Sequence, residues 1–483
     1  MMELKPDAYM STPKEELIGN NQGQSLVEIL IALAVFSITI TATTLVFFGG
    51  QNFSANALNT REAIQKTHDA SEALRILRDT NWNSLTNGTH GLQFTNDQWS
   101  LTASSDWSNG YKRSVVISTD ANGIKQLDTT VAWNVGSEGT KSMSITETLT
   151  PPNQGLSGDW QQPCVVGDAD GTSGAKGTDV FYANQKAYVS SSAVAQNKED
   201  LFIFNVTDPD IPTLTGSLNL EEGWKSLTVS GSYVFGIEED SSDFFVVDAT
   251  NPSSPVQIAK LALGGGKGRY VMARNGYVYA TTASSSAGPE FFSIDVRNPT
   301  SPTIASSLEF GVDINEVSVL QHIAYLATGG NSQELVLVDI NIPSTPTQLG
   351  SYDAPGTADA RAVHAKSSKR IYLGRNSSTE KELLILDAST PASVTLRGSQ
   401  DISGSVYSLL TAGTIAFLGT DDTNEEFQNY YIRDPAAIVK YGGKNLSNIG
   451  TGAAYYNNIV YMSVRNVDIL QLISAPINGI CGG

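Results

Sequence analysis

The 483-residue sequence predicts a multidomain, mainly β protein, in which a long amino-terminal α-helix lies on a small antiparallel sheet and a β-propeller of seven blades follows. Three observations lead to this prediction. Residues 29–60 contain no charged side chain, strand-like segments separated by an Asn-Gly turn come next, and beyond residue 150 a strand-and-turn pattern recurs at intervals in the forties. A chain of this length is expected to form two or three domains.

The first element is an apolar helix at residues 26–48. About 20 apolar residues are enough to cross the hydrocarbon layer of a bilayer, so this stretch is predicted to span a membrane once. One carboxylate, Glu28, lies at its beginning. A charged group costs about 2.5–3.5 kcal/mol at the centre of a membrane helix and less near the interface, so we expect Glu28 to have a partner.

An amphipathic helix is expected to continue the rod over residues 55–79. Its apolar side chains recur at spacings of three, four and their sums, which is the pattern of a helix with one buried face. The predicted buried positions are Leu58, Ile64, Ala70, Ala73, Leu74 and Leu77.

The segment Gly23-Gln24-Ser25-Leu26-Val27-Glu28 resembles the amino-terminal signature of type IV pilins and pseudopilins. The resemblance implies a leader at residues 1–23, which a prepilin peptidase/methyltransferase removes after Gly23 before it methylates the new amino terminus of Gln24. It also implies that Glu28, the fifth mature residue, neutralises the terminal amine of a neighbouring subunit during filament assembly. The implied partners are therefore other pilin subunits and the pilus assembly machinery.

Two features depart from that signature. Pilins usually begin with Phe, whereas Gln24 is polar, and the leader is long and mildly acidic, so the true start is either Met1 or Met10. The alternative interpretation is an ordinary signal peptide or a single-pass anchor. No small-x-small cleavage site follows the apolar run, which favours the pilin interpretation.

The small pilin-like sheet is expected within residues 92–150. Residues 111–119 and 127–135 are strand-like, and the Asn122-Gly123 pair between them is a strong hairpin signal. Residues 142–150 alternate apolar and polar side chains and are predicted to form a third strand. Trp99, Trp107 and Trp133 are expected to pack in the core and at its rim. The predicted boundaries are 24–150 for the helix and sheet, 151–160 for a linker, and 161–483 for the propeller.

An internal repeat carries the propeller prediction. Apolar runs that close with Asn or Asp occur at residues 201–205, 244–248, 291–295, 335–339 and 383–387, and two degenerate copies follow. A period in the forties with several short strands per unit indicates a β-propeller; seven blades are favoured, and six or eight remain open. Proline follows each run and is expected to end an inner strand and start the crossing to the outer strand. Leu335–Asp339 resembles the LVIVD-type bacterial repeat most closely, and this resemblance covers residues 179–472.

The two cysteines, Cys164 and Cys481, flank the repeats. Because a propeller brings its ends together to close the ring, a disulfide between them is expected, in keeping with an oxidising compartment. Residues 162–166 could then complete a terminal blade.

Charge and motif content restrict the function. The formal charge is −19, and no basic cluster offsets it, so direct nucleic-acid binding is not expected. The four histidines, His68, His90, His322 and His364, are scattered, and His322 and His364 are expected at strand ends. Asp168-Ala169-Asp170-Gly171 shows only half of a calcium-loop pattern. We therefore expect no catalytic residue, metal or cofactor.

The leading functional hypothesis is a minor type IV pilin-like subunit that displays an extracellular propeller as a binding or adhesion module. It would cross the inner (cytoplasmic) membrane once before assembly and then reach the cell surface or pilus, with residues after about 49 outside the cytoplasm. One alternative is a type II secretion pseudopilin that contacts cargo. Another is a membrane-anchored propeller enzyme. The ligand of the propeller is not identified by the sequence.

Overall fold

The computed structural model describes part of residues 59–78 and residues 82–95, 98–108, 110–119, 125–135, 139–149, 156, 158–172, 174–192, 199–286 and 288–476. The leader, the apolar segment at residues 26–48, the processing residues Gly23 and Gln24, Glu28, and Cys481 lie outside the described residues. Across the part that is described, no helix combines the length and the apolar character that a membrane crossing needs.

A helix and a six-stranded antiparallel sheet form the first part. The described residues of 59–78 are helical, and a 3-10 turn follows at Trp82–Ser84. The strands run in the order β2-β1-β4-β5-β6, and β3 also pairs with β4. Their bounds are β1 Gly88–Thr95, β2 Gln98–Ala103, β3 Asp106–Ser108, β4 Tyr111–Thr119, β5 Lys125–Asn134 and β6 Thr140–Leu149. The three predicted strands correspond to β4, β5 and β6, whereas β1, β2 and β3 were not predicted as strands.

The helix packs on this sheet through one face. Ala70, Ala73, Leu74 and Leu77 share a buried core with side chains of four strands: Leu92, Val115, Ile117, Leu127 and Leu149. The prediction for Ile64 is wrong, because Ile64 is exposed and Ala63 is buried instead. Position 63 lies on the same helical face as 67, 70 and 74, whereas position 64 is rotated by about 100° at 3.6 residues per turn.

The tryptophans of this part divide between core and solvent. Trp133 is buried, and its ring lies 6.1 Å from that of Tyr111. Trp99 is half-buried beside Phe94. Trp107 is 70 % exposed, so the prediction that it packs in the core or at its rim is wrong. Trp107 lies on the three-residue strand β3, which pairs with β4 alone.

Seven antiparallel four-stranded sheets follow. The first three contain β8 Gly177–Ala183, β9 Lys186–Ser191, β10 Leu201–Asn205 and β11 Thr213–Leu218; β12 Trp224–Ser230, β13 Tyr233–Glu238, β14 Asp243–Asp248 and β15 Val256–Ala262; β16 Gly268–Arg274, β17 Tyr277–Thr282, β18 Phe291–Asp295 and β19 Thr303–Leu308. The next three contain β20 Ile314–Leu320, β21 Ile323–Thr328, β22 Leu335–Asp339 and β23 Thr347–Tyr352; β24 Ala360–Ser367, β25 Arg370–Arg375, β26 Leu383–Asp387 and β27 Thr395–Gln400; β28 Val406–Ala412, β29 Ile415–Thr420, β30 Phe427–Tyr431 and β31 Val439–Lys444. The last contains β32 Gly450–Tyr456, β33 Ile459–Val464, β34 Leu470–Ser474 and β7 Cys164–Ala169.

The seven sheets close into a ring. The first strand of each sheet contacts the first strand of the next, and β32 contacts β8. The seventh sheet is completed by β7, which comes from the beginning of the repeat region and pairs with β34 near its end. The arrangement is a seven-bladed β-propeller, in agreement with the repeat count, and residues 164–166 take part in the terminal blade as predicted.

Cys164 begins this closing strand. It is buried and is not a free cysteine. Because Cys481 lies outside the described residues, the disulfide between the two stays a prediction.

The apolar runs of the repeat form the third strand of each blade, counted from the channel, and are not the innermost strands. The predicted crossing after the proline is confirmed, because the next strand is the outermost one of the blade. Leu335–Asp339 lies between β21 and β23 and is buried over its first four residues. Burial on both faces explains the unbroken apolar run. The residue that closes the run has a turn-forming role: in five blades its side chain accepts the backbone N–H two residues on, at 2.8–3.1 Å, at Asn205, Asp248, Asp295, Asp339 and Asp387.

A buried carboxylate just before the third strand recurs in five blades. Each accepts the backbone N–H of the residue 20 positions later, at 2.5–2.8 Å, at the start of the connection to the next blade. The residues are Asp200, Glu290, Glu334, Glu382 and Glu426. The acids therefore fix the inter-blade connections, a role that the sequence analysis did not identify.

Replacing one of these acids is expected to destabilise the propeller. Glu334→Ala removes the acceptor of the Ala354 N–H, and a hydrogen bond to a charged group contributes about 1.5–3 kcal/mol. We expect the free energy of unfolding to fall by about 2 kcal/mol, measured as a lower urea midpoint at constant slope. The control is Glu309→Ala, the same change at an exposed position. Equal urea midpoints for the two variants would contradict the capping role.

Candidate functional site

A central cavity of about 480 Å³ lies where the seven innermost strands converge. All seven first strands, β8, β12, β16, β20, β24, β28 and β32, contribute side chains to its wall. Propellers commonly present such a channel to ligands. This cavity is the candidate binding site of the described part of the chain.

Each innermost strand contains a β-bulge at its second residue. The pairing with the second strand of the blade skips this residue in all seven blades. A bulge leaves the extra residue unpaired and redirects its side chain. The bulged residues all line the cavity, and they are Thr178, Lys225, Arg269, Asn315, Arg361, Tyr407 and Thr451. Every one carries a hydrogen-bond donor and none is acidic, although the chain has 49 acidic and 30 basic residues.

Three of the bulged side chains connect neighbouring blades. Thr178 Oγ1 donates to the Trp224 carbonyl at 2.7 Å. Asn315 Nδ2 donates to the Ala360 carbonyl at 2.7 Å, and Thr451 Oγ1 donates to the Gly177 carbonyl at 2.9 Å. In each case the acceptor is the first residue of the next innermost strand. Short polar side chains therefore hold adjacent blades in register at this end of the channel.

The other four bulged residues have long side chains with different partners. Lys225 Nζ lies 3.4 Å from Glu239 Oε1, and Arg269 Nη2 lies 2.6 Å from Asp313 Oδ2.

Arg361 has no acidic partner within the described part of the chain. It donates through Nε to the side-chain oxygen of Asn376, and its guanidinium lies 4.6 Å from the centre of the Tyr407 ring.

Among the bulged residues, Lys225 has a pKa below its usual range. Burial lowers the pKa of Lys225, the Glu239 carboxylate raises it, and the positive charges of Arg465 and Arg269 lower it again. Two cations from other blades therefore act on Lys225.

Two carboxyl groups, those of Asp179 and Glu316, line the same cavity at the third residue of their strands. Burial raises the pKa of Asp179 to about 6, although Ser226 Oγ donates to it at 2.6 Å. Burial and the nearby charge of Asp179 raise the pKa of Glu316 well above its usual range. Glu316 accepts the Val363 N–H of the next blade at 3.2 Å. Both acids thus accept hydrogen bonds between blades.

The two repeat histidines occupy different positions, and the prediction for one of them is wrong. His322 lies in the turn before β21, as expected for a strand end. His364 lies within β24, because that strand extends to Ser367, and its side chain lines the cavity. Burial lowers the pKa of His364 to about 4, so the imidazole is neutral at pH 7.

Asp170, in the half calcium loop, forms a carboxyl pair with Asp468, and the sequence did not predict this pair. A hydrogen bond with Asp468 raises the pKa of Asp170, and burial raises it further. Within the described residues, no group of three or more His, Cys, Asp or Glu side chains is arranged to hold a metal ion.

The ring of bulged residues was also missed. Its members belong to seven different repeats and follow no short motif, because the bulge arises from pairing with the second strand. Aligning the repeats on their second strands would have placed six of the seven polar side chains in one column, eight residues before that strand. Arg361 lies one residue further away, because β24 has a second bulge between Ala365 and Ser367.

Comparisons with known proteins find both the amino-terminal signature and the repeat that the sequence resembles. Residues 18–44 match the prokaryotic N-terminal methylation motif. Residues 224–261, 313–354 and 378–402 match the LVIVD repeat. The chain thus carries a prepilin-like signature and a carboxy-terminal LVIVD propeller. Curated protein sequences give no match.

Solved structures with the same fold are distant in sequence. The WD40 β-propeller domain of Doa1 is 10% identical with a TM-score of 0.51 over 66% of this chain and 99% of that chain. A chain of the Mitotic Checkpoint Complex is 12% identical with a TM-score of 0.51 over 69% and 97%. Selenomethionine-substituted virginiamycin B lyase from Staphylococcus aureus is 10% identical with a TM-score of 0.50 over 65% and 100%. At these identities the similarity shows the fold alone.

Proposed function

We propose that this chain, which carries a prokaryotic N-terminal methylation motif and LVIVD repeats, is a minor type IV pilin-like subunit whose propeller acts as an extracellular binding or adhesion module. The combination of the two features in one chain carries the proposal. The methylation motif covers Gly23, Gln24 and Glu28, the residues implied in processing and assembly. The propeller supplies a central cavity of about 480 Å³ that is lined by both polar and apolar side chains.

A binding role fits the cavity better than catalysis. Asp179 and Glu316, the acids that line the cavity, accept hydrogen bonds from the next blade, and His364 has a pKa of about 4. A general base is most effective when its pKa lies near the operating pH, which argues against His364. Asp179 has a pKa of about 6, but its carboxylate already accepts the Ser226 hydroxyl at 2.6 Å and is held between two blades. We therefore propose that the protein is not an enzyme and that its partners are other pilin subunits, the assembly machinery and an extracellular ligand.

The proposed subunit is of low abundance. The propeller comprises more than 300 residues after the predicted linker. Such a domain is difficult to accommodate at every step of a tightly packed helical filament, which favours a tip or occasional position. The same amino terminus would serve a type II secretion pseudopilin, and the two differ in where the processed protein is found.

Mass spectrometry of the amino terminus tests this proposal first. In sheared surface filaments we expect a protein that begins at N-methylated Gln24, because cleavage follows Gly23 and methylation follows cleavage. Whole membranes from the same cells provide the control for the unassembled pool. A processed form confined to membranes would favour the secretion pseudopilus. An unprocessed terminus, or one beyond Phe48, together with no protein in the sheared fraction would overturn the pilin assignment.

A further inference from the structure

We propose that the four long bulged residues, Lys225, Arg269, Arg361 and Tyr407, form an oxyanion-binding site at one end of the central cavity, which takes a small ligand carrying a carboxylate or sulfate group. We call these four residues the cationic mouth. The inference deepens the proposed binding role of the propeller and rests on it.

Closure of the ring does not require these four side chains. At the equivalent positions Thr178, Asn315 and Thr451 make the bond to the next innermost strand with short, uncharged groups. Among the described residues, none of the four long side chains makes that bond. Lysine and arginine also lose more side-chain entropy than threonine or asparagine when they are ordered. Their presence in the cavity wall is therefore better explained by a ligand than by blade packing.

The charges of the cationic mouth are only partly balanced. Glu239 and Asp313 pair with Lys225 and Arg269, and Arg465 adds a further positive charge close enough to act on Lys225. Arg361 pairs with a neutral amide and an aromatic ring. Like charges held near one another are destabilising, and an anion among them relieves the repulsion. The cavity wall also contains Asp179, whose charge acts on Lys225, so the guanidinium of Arg361 is the positive charge of the cationic mouth that has no acidic partner among the described residues.

Size and surface charge define the class of ligand. A cavity of about 480 Å³ falls within the roughly 300–1,000 Å³ of small-molecule sites. The strongly acidic chain opposes the approach of a large polyanion. Guanidinium groups bind carboxylate, sulfate and phosphate oxygens through two parallel hydrogen bonds. Tyr407 adds a hydroxyl donor and an apolar ring face. The site therefore fits a small molecule with one localised oxyanion.

Calorimetric titration of the full chain, purified in detergent, tests the site with three probes. These are D-glucuronate, inorganic sulfate and neutral D-glucose. We expect glucuronate or sulfate to bind, with an affinity that falls as salt is added, and glucose not to bind at the same concentrations. Binding of glucuronate alone identifies a carboxylate ligand, and binding of sulfate alone identifies a sulfate group. If neither anion binds better than glucose, the proposal is overturned.

Substitutions place the binding at the cationic mouth. Lys225→Met and Arg361→Gln are each expected to weaken anion binding at least tenfold. Lys381→Gln makes the same change in net charge at an exposed residue paired with Asp401, and is expected to leave binding unchanged. Circular dichroism and melting temperature confirm that each variant folds. If all three variants bind alike, the anion binds elsewhere and the proposal is overturned.

The two proposals can fail independently. Titration uses purified protein and does not depend on filament assembly, whereas the amino-terminal analysis does not depend on the cavity. A chain that binds glucuronate but never enters filaments keeps the oxyanion site and loses the pilin role. A filament subunit that binds neither anion keeps the pilin role and loses the oxyanion site.

Discussion

Replacing Glu28 with leucine is expected to abolish incorporation of the chain into surface filaments while leaving its insertion into the membrane intact. The pilin resemblance implies that the Glu28 carboxylate neutralises the amino terminus of a neighbouring subunit. Without it, an unpaired amine would be buried in an apolar helix bundle, and unpaired charges there are strongly unfavourable. Leucine removes the charge from the apolar segment itself, so membrane insertion should not suffer. Immunoblots of sheared filaments and of membranes measure the two outcomes separately.

Two further substitutions separate charge from shape. Glu28→Gln keeps nearly the same side-chain volume and loses the charge, so it should fail as Glu28→Leu does. Ser37→Ala, within the same apolar segment, leaves the carboxylate in place and should assemble normally. Wild-type amounts of Glu28→Gln protein in the sheared fraction would show that the carboxylate is not needed for assembly. The pairing mechanism would then be wrong even if the amino terminus is processed.

The propeller could be predicted from the sequence because every copy of the repeat is subject to the same local constraints. The apolar run of Leu335–Asp339 must be buried on both faces, and the Asp at its end must form the turn before the proline. Each constraint acts within a few residues, so it leaves a pattern that can be read and counted. The count of seven was correct even though the last two copies are degenerate.

The position of a strand within its blade is a different kind of information. Nothing local distinguishes a third strand from an innermost one, because that order depends on how the blades meet. The same limit applies to the cationic mouth. Lys225 and Arg361 lie 136 positions apart in the chain, and only ring closure and the bulges bring them to one cavity. The buried acids such as Glu334 were missed because their partners lie 20 residues later in the next connection.

The amphipathic helix shows the limit on a smaller scale. Ala70, Ala73, Leu74 and Leu77 were predicted correctly because their spacing defines a face. Ile64 was predicted to be buried as an apolar residue six positions before Ala70, yet the small Ala63 is buried instead. The packing partner, and not the strength of the apolar signal, decides which neighbouring position is buried.

Loss of the predicted disulfide is expected to cost the propeller more than any other single change considered for its stability. Strand β7 and residues near the end of the chain complete the seventh blade, so a bridge from Cys164 to Cys481 would hold the ring shut at its closure. On the chain-entropy model a loop of this length contributes about 5–6 kcal/mol as an upper figure, and strain often reduces it. We expect Cys164→Ser to lower the free energy of unfolding by several kcal/mol, measured by urea unfolding.

The matched variant is Cys481→Ser, since removing either partner breaks the same bond. The two single variants should be similarly destabilised, and the double variant no more than either one, because their effects are not additive when the residues act as a pair. Cys164 is buried, so Cys164→Ser also places a polar hydroxyl group in a buried site. A larger loss of unfolding free energy for Cys164→Ser than for Cys481→Ser would measure the cost of burying that hydroxyl. Additive losses, or two reactive thiols in the native protein, would show that the bridge does not exist. Closure of the ring would then rest on the pairing of β7 with β34 alone.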